Sequence, residues 1–176
     1  MPILGLGHDV VDVEPFAEQV NAPGGGMRRL FSARELRQAT MRARAKNDGE
    51  AVHLAARWAG KEAVLKAWCE ALGDQPAPYA LDDFPWASIE ILDDSHGRPR
   101  VAMPDAVRQA LESSVPPLGG GDHGVGVGAG CAGCAGDSGH SDDAADAPGR
   151  QHDLVWHISL SHDGPIASAV AILESR

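Results

Sequence analysis

Cysteine is scarce in this sequence: only Cys69, Cys131 and Cys134 occur among 176 residues. The last two fall in a glycine-rich stretch, so no disulfide framework is implied and a reducing compartment fits. Long apolar runs are missing as well. None approaches the roughly 20 residues a membrane span needs, and Met1-Pro2-Ile3-Leu4 lacks the basic opening of a secretory signal. These absences predict a cytoplasmic protein with no membrane partner. Positive charge is in deficit, with a formal net charge of −10. That excludes nucleic acid as a general partner, because neutralising phosphates takes a surplus of Lys and Arg. Gly5-x-Gly7 lacks the rest of a dinucleotide fingerprint, and no Gly-Lys-Ser/Thr phosphate loop occurs.

Apolar bulk is also lacking between about 118 and 150, where Gly, Ala, Asp and Ser dominate. Such a composition cannot offset the cost of ordering the backbone and predicts a disordered insertion. Cys131-x-x-Cys134, flanked by His123 and His140, has zinc-like residue types but no turn or strand to frame them, so zinc is not expected. With 43% hydrophobic residues, the remainder suffices for a single domain.

Regular elements are legible in that remainder. Ile3 to Val13 reads as a strand in which Asp9 shares a face with Gly5 and Gly7, leaving room beside its carboxylate. A short helix is predicted over Glu14 to Val20. Ser32 precedes Glu35 by three residues, the capping-box spacing, and predicts a helix from about Ala33 to Arg44. The clearest element is a helix over Glu50 to Leu72 that ends at Gly73. Leu54, Trp58, Leu65, Trp68 and Leu72 form its apolar stripe, with Lys61 inside the stripe and Glu62 at its edge. Strands are predicted over Ser88 to Leu92 and Arg98 to Met103, a short helix over Asp105 to Ser113, and a closing hairpin over Val155 to His162 and Ile166 to Leu173.

Asp9 and Glu62 are the first candidates for chemistry. Carboxylates in apolar surroundings take up a proton, pair with a cation or hold a hard metal, and Mg²⁺ is commonly held by one or two of them. A salt bridge to Arg57 or Lys61 is the alternative. Lys66 follows Glu62 by four residues and Lys61 follows Arg57 by four, a spacing that suits either ion pairs along the helix or an anion site. Ser161-His162-Asp163 is no hydrolase triad, because successive strand residues point to opposite faces. From Met27 to Lys46, seven basic residues stand against the single acid Glu35, a basic face that suits either an anionic partner or ligand or a solvated helix surface.

Gly5-Leu6-Gly7-His8-Asp9-Val10-Val11 resembles the opening strand of the holo-acyl-carrier-protein synthases, the small phosphopantetheinyl transferases. Arg57-Trp58-Ala59-Gly60-Lys61-Glu62-Ala63-Val64-Leu65-Lys66-Ala67 resembles their central helix. Ile89-Glu90-Ile91 through Gly97-Arg98-Pro99 and His157-Ile158-Ser159-Leu160-Ser161-His162 resemble their later strands. The wording is nearest that of actinobacterial members. This resemblance implies an α+β fold of the 4'-phosphopantetheinyl transferase type, a long helix packed on an antiparallel sheet, assembled as a homotrimer with sites at subunit interfaces. It implies transfer of the 4'-phosphopantetheine group of coenzyme A to a serine of an apo-acyl carrier protein, or of the carrier domain of a fatty acid synthase, with release of 3',5'-ADP.

By the same resemblance Asp9 and Glu62 would bind Mg²⁺, and Glu62 and Lys66 would be catalytic. Coenzyme A would meet Arg57, Lys61, Lys66, Gly97, Arg98, Pro99, Ser161 and His162, with the stretch from Arg37 to Lys46 facing its 3'-phosphate or the carrier. Whether Glu62 or a water on the metal takes the serine proton stays open. His8 stands where a small or apolar residue is usual and faces away from Asp9. Asp12, Glu14 and Glu18 are acidic where relatives often offer the carrier basic residues, which moves the expected docking surface to Arg28, Arg34, Arg37 and Arg42. Two other readings use the same residues: a metal-dependent diphosphate hydrolase acting on coenzyme A, and a non-catalytic carrier-binding subunit.

Overall fold

Ser32 starts the second helix as its spacing predicts: its hydroxyl accepts from the Glu35 amide at 3.1 Å while Glu35 Oε2 accepts from the Ser32 amide at 2.9 Å. The computed structural model describes residues 1–116 and 153–176; the predicted insertion, with Cys131, Cys134, His123 and His140, lies outside the described residues. In chain order the elements are β1 (Ile3–Asp12), α1 (Val13–Asn21), α2 (Ala33–Lys46), α3 (Glu50–Leu72), β2 (Glu90–Asp93), β3 (Pro99–Ala102), α4 (Asp105–Ser114), β4 (Leu154–Asp163) and β5 (Ile166–Ser175), with short 3-10 turns at Met27–Leu30 and Leu81–Asp83. The bounds of α3 coincide with the expected ones. Helix α2 runs two residues past Arg44, and Asn47 ends it at φ 56° in the left-handed region.

Strands β1, β5 and β4 form an antiparallel sheet in that order, and β2 pairs with β3 in a separate hairpin. Register places Gly5 opposite Leu173, Gly7 opposite Ala171 and Asp9 opposite Ala169, all on the face that α3 covers. The approach is close because the strand has no side chains there. A Cβ on Gly5 would overlap the carbonyl oxygen of Ala67, and one on Gly7 that of Ala63. From β5, Ala167, Ala169 and Ala171 add equally small surfaces, while Ile158 and Leu160 of β4 close the side. The result is the expected α+β arrangement of a long helix on an antiparallel sheet.

One expectation for α3 is corrected. The single apolar stripe gives way to burial on nearly every side, with Ala55, Ala59, Ala63 and Ala67 fully buried and Trp58 and Leu65 only half-buried. The helix runs between the sheet and a second layer made of α2, β2 and the loop carrying Tyr79, Phe84 and Trp86, so it has no solvent side for most of its length. Aromatic contacts, Trp68 to Phe84 edge-on at 6.0 Å and Trp58 to Trp86 tilted at 4.9 Å, bind that loop to it.

Burial also decides the fate of Lys61. It is 0% exposed, and its ammonium pairs with Glu35 at 3.0 Å and donates to the carbonyls of Trp86 at 2.6 Å and Ile89 at 2.5 Å, which uses all three protons. Glu35 in turn accepts from the Ile91 amide at 2.9 Å. Burial pulls the Lys61 pKa down and Glu35 pulls it back up. Lys61 is thus a joint between α2, α3 and β2, and not a ligand for phosphate. Replacing Lys61 with Met should leave Glu35 buried without its counter-charge and cost about 3–5 kcal/mol, read as a fall in the urea midpoint with an unchanged m-value.

Candidate active site

The close approach of β1 to α3 brings Asp9 to the helix turn that carries Glu62 and Lys66. Lys66 Nζ bonds Asp9 Oδ1 at 2.8 Å and the His8 carbonyl at 3.1 Å, so it reaches across to the strand instead of pairing with Glu62 along the helix. The Glu62 pKa is raised, first by partial burial and then by the negative charge of Asp9, with Lys66 opposing. Two carboxylates within each other's field and one ammonium therefore share one place. Asp9 and Glu62 line a cavity of about 440 Å³ walled also by Phe16, Gln19, Met27 and Trp58. Among the described residues no cluster of three or more His, Cys, Asp or Glu side chains forms a cage for a metal. Two carboxylates that repel each other, with open space beside them, suit Mg²⁺, which keeps waters and substrate phosphates in its shell.

A second cavity, of about 180 Å³, shares no residue with the first and collects most of the other candidates: Arg57, Gly97, Pro99 and His162, with Arg42, Lys46, His53 and Asp93. Asp93 Oδ2 accepts from Arg42 Nε and from Arg57 Nη2, each at 3.0 Å, and holds both guanidiniums in place. Arg57 is almost wholly buried and also donates to the His53 carbonyl at 3.1 Å; its Nε is buried without an acceptor. His53 is fixed by Asp48 at 2.7 Å and meets His162 edge-on at 5.4 Å. Lys46 Nζ stands 3.4 Å from His162 Nε2. Burial lowers the His162 pKa, and the charges of Lys46 and His53 lower it further. Three permanent cations against one carboxylate make this an anion pocket.

The turn after β2 frames its rim. Asp94 accepts from the amides of His96 at 2.8 Å and Arg98 at 3.0 Å, and the Arg98 amide bond is the main reason its pKa falls to about 2. Gly97 takes φ 77°, and a Cβ there would press on Arg42 Nη2, which donates to the Gly97 carbonyl at 3.3 Å.

Several expected residues lie elsewhere. The Arg98 side chain folds back onto Asp94 at 2.9 Å and does not line the pocket. Ser161 occupies the opposite face of β4 from His162 and is exposed, because successive strand residues alternate. Arg28 is bidentate with Glu50 at 3.2 Å, Arg34 pairs with Glu90 at 2.7 Å and Arg42 turns into the pocket, while Arg37 is exposed on α2. His8 faces outward, away from Asp9. His53 and Asp93 were not expected. His53 precedes Arg57 by one helical turn, which places it on the same face, and Asp93 ends a strand where the chain turns back.

A central helix laid on a small antiparallel sheet, with paired carboxylates in one pocket and clustered cations in another, defines an α+β protein with two pockets of opposite charge. The sequence model of the 4'-phosphopantetheinyl transferase superfamily matches residues 5–126. A holo-[acyl-carrier-protein] synthase of Bifidobacterium animalis subsp. lactis is 49% identical over 177 residues, covering 99% of each chain, and one of Mycobacterium tuberculosis is 34% identical over 175 residues at the same coverage. Among solved structures, an ACPS–coenzyme A complex from Chronobacterium ammoniagenes superimposes with a TM-score of 0.72 at 28% identity, covering 100% of this chain and 99% of that one. The chain belongs to the 4'-phosphopantetheinyl transferase superfamily.

Because both desolvation and Asp9 disfavour the ionised Glu62, its charge lowers the stability of the fold. A raised folded-state pKa means that this cost is absent below the ordinary glutamate value and is fully present above the folded value. Glu62→Gln should therefore raise Tm at pH 8, with the gain shrinking as pH falls toward the ordinary carboxylate range, as followed by thermal melts across pH.

Proposed function

We propose that this protein transfers the 4'-phosphopantetheine group of coenzyme A to a serine of an apo-acyl carrier protein or carrier domain, releasing 3',5'-ADP. The convergence of Asp9, Glu62 and Lys66 beside an open cavity carries this proposal, and the family supports it. Asp9 and Glu62 are the residues that would hold Mg²⁺, which when bound offsets the charge of a diphosphate. In the transfer, the carrier serine Oγ forms a bond to the β-phosphorus as the bond from that phosphorus to the oxygen leaving with 3',5'-ADP breaks. Glu62 takes the serine proton directly or through a water. Lys66 stabilises the negative charge that develops on the departing side. Arg57, Lys46 and His162 hold the other phosphate of coenzyme A, and Gly97 and Pro99 support its adenine.

We further propose a homotrimer acting in fatty acid synthesis in the cytoplasm. The open face of the sheet supports the assembly: Leu6 and Val10 of β1 are 51% and 52% exposed, with Val170 and Ile166 of β5 beside them. Apolar side chains continuous across two strands suit contact with another copy. Ser161 lies on the same face, and the carboxylate and anion pockets share no lining residue, which suits a site completed by neighbouring copies.

With coenzyme A, Mg²⁺ and apo-carrier, intact-mass analysis should show one phosphopantetheine added to the carrier. Asp9→Ala and Glu62→Ala should each slow this by at least about a hundredfold while the proteins stay folded. Release of free phosphopantetheine, or normal turnover by either variant, contradicts the assignment. Light scattering after gel filtration should give three chains per particle, and Val10→Asp with Val170→Asp should yield smaller species.

A further inference from the structure

We propose that Asp93, held in register by Gln38, is a positioning residue that shapes the anion pocket for the 3'-phosphate of coenzyme A; the ligand, though not the geometry, rests on the transferase reading above. A carboxylate in a pocket for an anion is at first sight misplaced, because its charge repels the ligand. Its bonds account for it. A single oxygen, Oδ2, accepts from Arg42 Nε on α2 and from Arg57 Nη2 on α3, each at 3.0 Å. Two guanidiniums drawn onto one atom repel each other, and the negative charge between them offsets that repulsion. Burial lowers the Arg57 pKa, Asp93 opposes that most strongly, and Arg42 lowers it further.

Gln38 fixes Asp93 in turn. Its side-chain amide donates to the Asp93 carbonyl at 3.0 Å and accepts from the Asp93 amide at 2.9 Å, so it pairs with the backbone as a neighbouring strand would. The same Gln38 oxygen accepts from Arg57 Nη2 at 3.4 Å. Helices α2 and α3 and the end of β2 are thereby tied together at one residue, whose carboxylate is only 17% exposed. Donors remain for a ligand. Of the five N–H groups of Arg42, one goes to Asp93 and one to the Gly97 carbonyl, which leaves three without a partner among the described residues. Arg42, Arg57 and Lys46 against Asp93 give the pocket a charge of +2, counting neither histidine, which matches a phosphate monoester.

Charge and position predict opposite signs. Acting through charge alone, Asp93→Asn would tighten anion binding and Asp93→Glu would leave it unchanged. A positioning residue tolerates neither, since an amide no longer draws two cations together and an extra methylene displaces both.

Titration calorimetry of the full chain with coenzyme A and with dephospho-coenzyme A, which differ only in the 3'-phosphate, reads the pocket without any transfer. The wild type should prefer coenzyme A. Both Asp93 variants should reduce that preference at least about tenfold, with Tm and the affinity for dephospho-coenzyme A as in the wild type. A preference kept or raised in Asp93→Asn, or kept in Asp93→Glu, overturns the proposal, as does a lower Tm with the preference intact. Should the Asp93 variants fail to fold, Gln38→Ala frees the same carboxylate and should reduce the preference too; an unchanged preference there overturns the proposal. A wild type whose preference depends on Asp93 but which adds nothing to apo-carrier keeps this role and refutes the transferase reading. A wild type that modifies the carrier without preferring coenzyme A keeps the transferase and refutes the role of Asp93.

Discussion

Everything in the carboxylate site depends on how near one strand comes to one helix. Gly5 and Gly7 present bare backbone to the carbonyls of Ala67 and Ala63, and no other residue type fits between them. Asp9 follows two residues later on the same face, so the contact that packs the core also sets the separation of the two carboxylates. Strand and helix carry like charges at that point. Tight packing on either side outweighs their repulsion, and Lys66 bridges across to Asp9 to relieve part of it. A pair of acidic side chains is in this way held together by small residues with no chemistry of their own.

The other half of the structure rests on a different solution to charge. Lys61 and Glu35 are both fully buried and are tolerated because every donor and acceptor on them is used, partly by backbone groups of the loop before β2. They fix α2 and β2 against α3, and the anion pocket forms where those elements meet. Neighbouring residues on one helix thus divide the labour: Lys61 joins layers, and Glu62 turns toward the open cavity.

Much of the fold was legible in the chain. The Ser32 to Glu35 spacing, the glycine after Leu72 and the two hairpins located nearly every element, since capping and turn chemistry act locally. Asp9, Glu62 and Lys66 were legible as a set through their family resemblance, and strand parity separated Ser161 from His162. Lys61 was misjudged as a phosphate ligand because its partner lies 26 positions earlier, on another helix. The single stripe expected on α3 failed for a related reason. Alanine and glycine carry little hydrophobic signal, so a face made of them looks neutral in sequence although it packs most closely of all. His53 and Asp93 became evident only through three-dimensional proximity to Arg57.

Strand β4 has one further consequence. Its alternate residues serve different surfaces, with His162 closing the anion pocket and Ser161 on the open face. A slip of one residue against β5 would exchange the two sets, hiding the serines and exposing Trp156, Ile158 and Leu160. A ligand that binds only the correctly paired strand draws the population toward it by mass action, so any anion held in that pocket would also act as a proofreader of the chain that binds it.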